Sequence, residues 1–475
     1  MIEEVLEKLR AQPASFRALP NWSEEDVAER AHRFQLLRMR CERIGAKLLP
    51  GRSRPRVAAT ACWHFPIYSQ TFVYQEQVQL LGHGFDTRFL YSQLNPRHQL
   101  PAQFGRLWRS KRKLILHPAV CRRDYDYYAR CMPGKVAALV EKLCRASGLA
   151  EQDLRNHHHF QQAFAFTRMV EACRPDYLHS YFFYEGTLFT LVASHLLDIP
   201  RGVSCYADHM LDDYVLKVVP LHMEQCSVVV ATSRRIKREL LSIAPQADPD
   251  RIIVKPNAIN AARFPVMDRA EPGSGEPYRL ICVSRIEPKK GILYLVEALR
   301  CLIDNGLNVE AHFLGGVDDN PAGKEYAAAL DVRIRELNLE RAVHLEGRKP
   351  EAEIKRFLKG SHLFVAPFVE TESGDKDGIP TALLEGMSTG IPAVATDAGS
   401  IAEVIDDGWD GVLVRQRDSV RLAAAIDKLL RNPERRLQLG REGARKIRSR
   451  FDVQVCEPIF HNRIRSVIAA ASTRK

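Results

Sequence analysis

Two loops in the second half of the chain carry residue types suited to holding a phosphorylated leaving group. Ser284-Arg285-Ile286-Glu287-Pro288-Lys289-Lys290-Gly291 directly follows the apolar run Leu280-Ile281-Cys282-Val283 and precedes a helical pattern from Ile292 to Leu302. Ligands of open α/β sheets collect outside the carboxyl ends of the strands, which is where such a loop would sit. Two fixed cations there, Arg285 and Lys290, would stabilise the charge growing on a departing diphosphate. A solvated basic loop is the plainer alternative. The second loop, Asp377-Gly378-Ile379-Pro380-Thr381-Ala382-Leu383-Leu384-Glu385, follows Val365-Ala366-Pro367-Phe368. Gly378 lets backbone approach a ligand closely, Pro380 suits a first helical turn, and the free amides of a helix N-terminus favour an anion. Glu385 lies little more than one turn inside that helix. Helical side chains lean toward the N-terminus, so its carboxylate could accept hydrogen bonds from ribose hydroxyls. A helix start with an exposed glutamate is the alternative.

The elements that would position these loops form a regular alternation. Ile2, Val5, Leu6 and Leu9 recur at helical spacing, as do Val27, Ala31, Phe34, Leu37, Cys41, Ile44 and Leu48, with a capping-box-like start at Ser23 and Asp26. The second of these helices carries Arg30, Arg33, Arg38, Arg40, Arg43 and Lys47, and reads either as an accessory helix or as a membrane-surface contact. A polar hinge at Pro50–Pro55 is followed by strand Val57–Ala61 and a helix over Thr71–Leu81 ended by Gly82 and Gly84. Strand Tyr177–His179, a helix through Leu188–Leu197, strand Arg201–Cys205 and strand Ser227–Ala231 continue the pattern. Residues 95–160 read as a basic, helical insertion without a clean strand. A second alternation comprises strand Leu280–Val283, helix Ile292–Leu302, strands Val309–Leu314, Val343–Leu345 and Leu363–Ala366, helix Thr381–Met387 and strand Ala393–Ala395. The Pro- and Gly-rich stretch Glu271–Pro277 reads as the linker. Two α/β domains with parallel sheets follow.

Composition sets the outer bounds. At 475 residues, two cores are expected, and 45% hydrophobic with 27% charged residues is an ordinary globular balance. No run of about twenty apolar residues and no basic-then-apolar leader is present, so a chain that neither spans nor leaves through a membrane is expected. The 11 cysteines show no C-x-x-C pair, which favours buried thiols in a reducing, cytoplasmic compartment over disulfides or zinc. The net charge of +11 suits anionic substrates or an anionic membrane surface. It does not suit nucleic acid, for which no recognition motif accompanies the charge.

The pairing of S-R-I-E-P-K-K-G with D-G-I-P-T-A-L-L-E-G-M, followed by Gly390-Ile391-Pro392-Ala393-Val394-Ala395-Thr396-Asp397 and Gly399-Ser400-Ile401-Ala402-Glu403-Val404-Ile405, resembles glycosyltransferase family 4. The similarity is greatest to members that build bacterial surface polysaccharides. It takes in Pro256-Asn257-Ala258-Ile259-Asn260 with Arg263-Phe264, and more weakly Ser69-Gln70-Thr71-Phe72-Val73, and spans roughly residues 56–450. The resemblance implies a GT-B fold, two Rossmann-like domains facing each other across a cleft. It implies a donor domain at 266–450, an acceptor domain at 54–265 and a helical extension at 1–53, with a last helix at 451–475 crossing back to the acceptor domain. It further implies a nucleoside-diphosphate-sugar donor of UDP or GDP type, a saccharide or lipid-linked acceptor, and retention of anomeric configuration. On this likeness Arg285 and Lys290 bind the diphosphate, Glu385 the ribose, and Asp377 faces the sugar. Gly378, Ile379, Pro380 and Thr381 offer backbone to the phosphates, Gly315 lines the floor, and Arg348 borders the base. Ser69, Gln70, Thr71 and Tyr206 lie on the acceptor side.

Two departures stand out. The family usually has Glu where Asp377 stands, and often His after the strand that here ends at Ser204-Cys205, where Tyr206-Ala207-Asp208-His209 follows. His209 takes that role if the loop shifts; if Tyr206 fills the position, a hydrogen bond survives but a cationic contact does not. No metal or obligatory cofactor is expected: His157-His158-His159 splays around a helix, and Asp124-Tyr125-Asp126, a D-x-D, lies in the insertion. Neither G-x-G-x-x-G nor a Walker loop is present. Competing readings are an epimerase or phosphorylase on the same fold and a non-catalytic sugar-nucleotide-binding scaffold. The expected location is cytoplasmic, or peripheral on the inner face of the membrane.

Overall fold

The computed structural model describes residues 23–48, 55–60, 64–65, 71–95, 102–206 and 214–473. Among them the strands are β1 (Arg56–Thr60), β2 (His64–Phe65), β3 (Asp86–Tyr91), β4 (Gln93–Leu94), β5 (Lys111–Lys113), β6 (Tyr177–Tyr181), β7 (Arg201–Cys205), β8 (Val228–Ala231) and β9 (Ile252–Val254). The second half supplies β10 (Tyr278–Val283), β11 (Val309–Leu314), β12 (Val343–Gly347), β13 (Leu363–Ala366), β14 (Ala393–Thr396) and β15 (Val412–Val414). They build a seven-stranded sheet in the order β5-β3-β1-β6-β7-β8-β9, a six-stranded sheet in the order β12-β11-β10-β13-β14-β15, and the small pair β2-β4. The ladders β1–β3, β7–β8, β10–β11 and β13–β14 are all parallel, with helices between successive strands, so both large sheets are Rossmann-like.

The chain divides into two compact units. One takes Met1–Ser69, Phe85–Leu178 and Leu188–Ile199; the other takes Gln70–Gly84, His179–Thr187 and Pro200–Lys475. In the first, the helix Glu24–Leu48 opens as its sequence suggests. Ser23 Oγ accepts from Asp26 N at 3.2 Å, and Asp26 Oδ2 accepts from Ser23 N at 3.1 Å. Leu36 and Met39 face inward, while Glu42 takes two hydrogen bonds of 2.7 Å from the buried Arg112. The pattern Ile2–Leu9 lies outside the described residues.

Within the stretch read as helical, Lys111–Lys113 is instead an edge strand, β5, paired with β3. Three basic residues carry no apolar signal. They reach the sheet edge because Lys111 lies 3.8 Å over the Trp108 ring and Arg112 is neutralised by Glu42. Among the described residues the stretch also holds the helices Leu107–Ser110, Pro118–Cys131, Pro133–Ser147, Glu151–Asn156 and the start of His158–Cys173. Asp124, in the D-x-D, is buried against His32 at 2.9 Å and so serves packing.

In the second unit, the core on one face of the six-stranded sheet contains Leu280, Cys282, Leu295, Leu299 and Phe313, and that on the other contains Ile281, Phe364, Ile379, Leu383 and Met387. A buried ionic cluster ties several segments together. Lys255 Nζ lies 2.8 Å from Glu76 and 3.1 Å from Glu457 of the helix Val453–Ser472, and the Tyr181 hydroxyl donates to Glu76 at 2.7 Å. His179, whose pKa burial lowers to about 4, is 2.9 Å from Ser204 Oγ. Burial and the neighbouring Glu76 push Glu457 up, so Glu76 carries the charge that answers Lys255.

Candidate active site

The strand order of the second sheet reverses direction between β10 and β13, the switch point at which such sheets bind ligands. Both chemistry-bearing loops leave from these two strands. β10 and β11 end level, Val283 beside Leu314, so Ser284 and Gly315 lie next to each other. Ile286 N donates to Gly316 O at 2.9 Å. Gly315 is required: at φ 154° a Cβ would lie 1.8 Å from the Ser284 carbonyl oxygen. Arg348, predicted beside the base, packs against the same floor, with Nε 3.8 Å from where a Cβ on Gly316 would be.

The cations meet carboxylates. Lys290 Nζ is 2.5 Å from Asp377 Oδ2 and 4.4 Å from the Phe368 ring centroid. Arg285 pairs with Asp318 and Glu287, each at 2.9 Å, and Lys289 pairs with Asp375 at 3.0 Å. Burial sets the Glu287 carboxyl above its ordinary range despite these cations. Lys290 and Asp377, 87 residues apart, are brought together. The partners Asp318, Glu287, Lys289 and Asp375 were not singled out from sequence. The alternation of charge in R-I-E-P-K-K and D-K-D is the signal that would have found three of them.

Asp377 is placed from behind as well. Its carbonyl accepts from Arg235 at 3.3 Å and stands where a Cβ on Gly399 would intrude to 2.2 Å. Gly378 is equally confined, since a Cβ there would approach the Tyr206 carbonyl to 2.9 Å. The Ile379 side chain is buried, and its carbonyl accepts from Asn257 at 2.9 Å. The helix Thr381–Ser388 starts one residue after Pro380 and has no side-chain cap, so its first amides remain for a ligand.

Glu385 lies half-buried one turn into this helix, with no hydrogen-bond or ion-pair partner among the described residues. Burial, with Glu351 nearby, pushes its carboxyl up to about 7. Glu385 therefore keeps its proton to higher pH when folded, and its contribution to stability fades as pH rises from 4.5 to about 7.

On the other side of the predicted site the assignments fare differently. The Tyr206 ring is 6% exposed and packs on Phe72 at 4.2 Å and Phe182 at 5.3 Å, so its backbone, not its ring, abuts Gly378. Thr71 is half-buried at the start of the helix Thr71–Gly82. Ser69, Gln70 and His209 lie outside the described residues. A feature not anticipated is Glu403, whose carboxylate accepts from the backbone of Arg234 at 2.8 Å and Arg235 at 2.7 Å, capping the helix Arg234–Ile243.

Residues 267–446 match the family described as Glycosyl transferases group 1. This stretch is similar to a group 1 glycosyltransferase domain. Both chemistry-bearing loops, the unpartnered Glu385 and all of β10 to β15 fall inside it. The chain is 25% identical over 378 residues to the amylovoran biosynthesis glycosyltransferase AmsK of Erwinia amylovora, covering 77% of this chain and 88% of that protein. It is 32% identical over 183 residues to the putative colanic acid biosynthesis glycosyltransferase WcaL of Salmonella typhimurium, covering 38% of this chain and 43% of that one. Among solved structures, sucrose-phosphate synthase from Thermosynechococcus elongatus aligns with a TM-score of 0.66 at 15% identity, over 88% of this chain and 100% of the other. HepE from Anabaena, in complex with UDP-glucose, aligns with a TM-score of 0.62 at 15% identity over the same shares. The fold is thus GT-B. No helix among the described residues is long and apolar enough to cross a membrane.

Proposed function

We propose that the protein is a retaining glycosyltransferase that moves a hexose from a nucleoside-diphosphate sugar to a saccharide or lipid-linked acceptor in bacterial polysaccharide or glycolipid synthesis. The observation that carries the proposal is the convergence of Lys290, Asp377 and an uncapped helix N-terminus at the switch point, with Glu385 left unpartnered. The diphosphate takes Lys290 from Asp377 and binds Arg285 and the amides of Gly378, Ile379 and Thr381, which frees Asp377 to face the sugar. Glu385 accepts the ribose hydroxyls and Arg348 borders the base. The acceptor binds residues 54–265, with Ser69 to Thr71 and His209 at its edge; the donor binds 266–450. The group 1 domain, the polysaccharide-building relatives and the UDP-glucose complex of HepE all favour this reading. No step requires a metal.

The test is calorimetric titration with UDP, GDP, ADP and their sugars, with and without EDTA, followed by NMR of the product anomer. Metal-independent binding of one diphosphate and transfer with retention is the expected result. Failure of every nucleotide to bind would remove the donor site, and an inverted product would remove the retaining mechanism.

A pH dependence follows from Glu385. Ribose hydroxyls stabilise its ionised form, so binding expels a proton. Affinity for the preferred nucleotide sugar should rise roughly ten-fold between about pH 6 and pH 8. Glu385→Gln should flatten this dependence; an unchanged slope would assign it elsewhere.

We further propose that the protein rests on an anionic bilayer. The helix Glu24–Leu48 exposes Val27, Phe34, Leu37 and Ile44 beside Arg33 and Arg40, an apolar stripe with basic flanks. Co-sedimentation with phosphatidylglycerol vesicles should fall on Leu37→Glu, and no binding by the unaltered protein would end the idea.

A further inference from the structure

We infer that Glu310, His312 and His344 form a binding site for a divalent transition-metal ion of the zinc type. Sheet register creates it. His312 of β11 and His344 of β12 are direct neighbours on adjacent parallel strands, and their rings stack at 4.6 Å with an interplanar angle of 18°. Glu310, two residues before His312, projects from the same face of β11. One of its carboxylate oxygens lies 3.2 Å from His312 Nε2 and the other 3.3 Å from His344 Nε2. One ligand atom from each residue falls within 4.8 Å of the others. Tetrahedral bonds of about 2.0–2.1 Å require ligand atoms roughly 3.4 Å apart, so small side-chain adjustments bring the three onto one ion.

β11 and β12 slip register between Phe313 and Leu314, a bulge that turns Glu346 toward His312. Glu346 Oε1 sits 3.0 Å from His312 Nδ1, which fixes the tautomer and leaves Nε2 to ligate. Phe357, with its ring centroid 5.4 Å from that of His312, walls one side. His344 is 35% exposed, which provides an entry path and a fourth position for water. His344 stacks on His312 and shares the Glu310 carboxylate with it, so the three side chains converge on one point. Arg279, at 2.9 Å from Glu310 and 46% exposed, competes with the metal and must swing out.

The ion would staple the edge strand β12 to β11, whose ends run into Arg348 and Gly315. This does not depend on the proposed transfer reaction, in which the metal takes no part.

The test is titration of the EDTA-dialysed, reduced full-length protein with Zn²⁺ and with Co²⁺. One equivalent should bind, with visible Co²⁺ absorption of low-symmetry character and a Zn²⁺-dependent rise in Tm. His344→Ala and His312→Ala should weaken binding at least ten-fold and abolish the Tm rise. Glu346→Gln should weaken it roughly ten- to a hundred-fold. Arg279→Ala should tighten it, and His158→Ala should leave it unchanged. Absence of stoichiometric binding, undiminished affinity in His344→Ala, or loss of binding in His158→Ala would overturn the assignment.

Discussion

Lys290→Ala should lower kcat for sugar transfer by ~10²–10³, with a smaller change in KM, because the ammonium matters most when charge accumulates on the leaving diphosphate. Its present partner explains the specificity of this loss. Lys290 is 2.5 Å from Asp377 and sits over the Phe368 ring, so donor binding exchanges one anion for another around a cation already in place. Arg285→Ala should act in the same direction. Arg285 shares its charge between Asp318 and Glu287 and is 38% exposed, which makes its loss the milder of the two. Initial rates of nucleotide release and of product formation measure both. A fall of less than three-fold for Lys290→Ala would remove the leaving-group role.

Lys255→Met should destabilise the fold by ~3–5 kcal/mol, the cost typical of breaking a buried ion pair by removing one partner. Glu76 would be left charged and fully enclosed, with the Tyr181 hydroxyl and no cation to answer it. Adding Glu76→Gln should recover part of the loss, since an amide does not carry the stranded charge. Urea denaturation of the single and double variants measures both effects. A single-variant loss under about 1 kcal/mol would mean that the pair is neutral to stability.

The elements with strong apolar runs were legible in the sequence. β11 and β13 fall where Val309–Leu314 and Leu363–Ala366 read as strands, and the loops after β10 and β13 do converge through Lys290 and Asp377. What escaped has physical causes. β9 and β15 have three residues each, too short to show a period, and β5 is wholly basic. β3 alternates Asp86, Thr87 and Arg88 before its apolar end, because Arg88 is neutralised by Asp86 and Glu42. At Tyr206 the residue type suggested a hydroxyl presented to ligand, but three aromatic neighbours made burial of the ring the better outcome. Asp318 on Arg285 and the cap from Glu403 join residues distant in sequence, where spacing carries no information.

The Lys255 cluster also bears on how the chain is made. Glu457, the second carboxylate on Lys255, is 202 residues further along. At about 5–20 residues per second a ribosome needs roughly 10–40 s to cover that interval. Throughout it, the nascent chain already contains Lys255 and Glu76 but lacks the helix that carries Glu457. Until the helix Val453–Ser472 arrives, Lys255 therefore lacks its second carboxylate and the cover which that helix supplies.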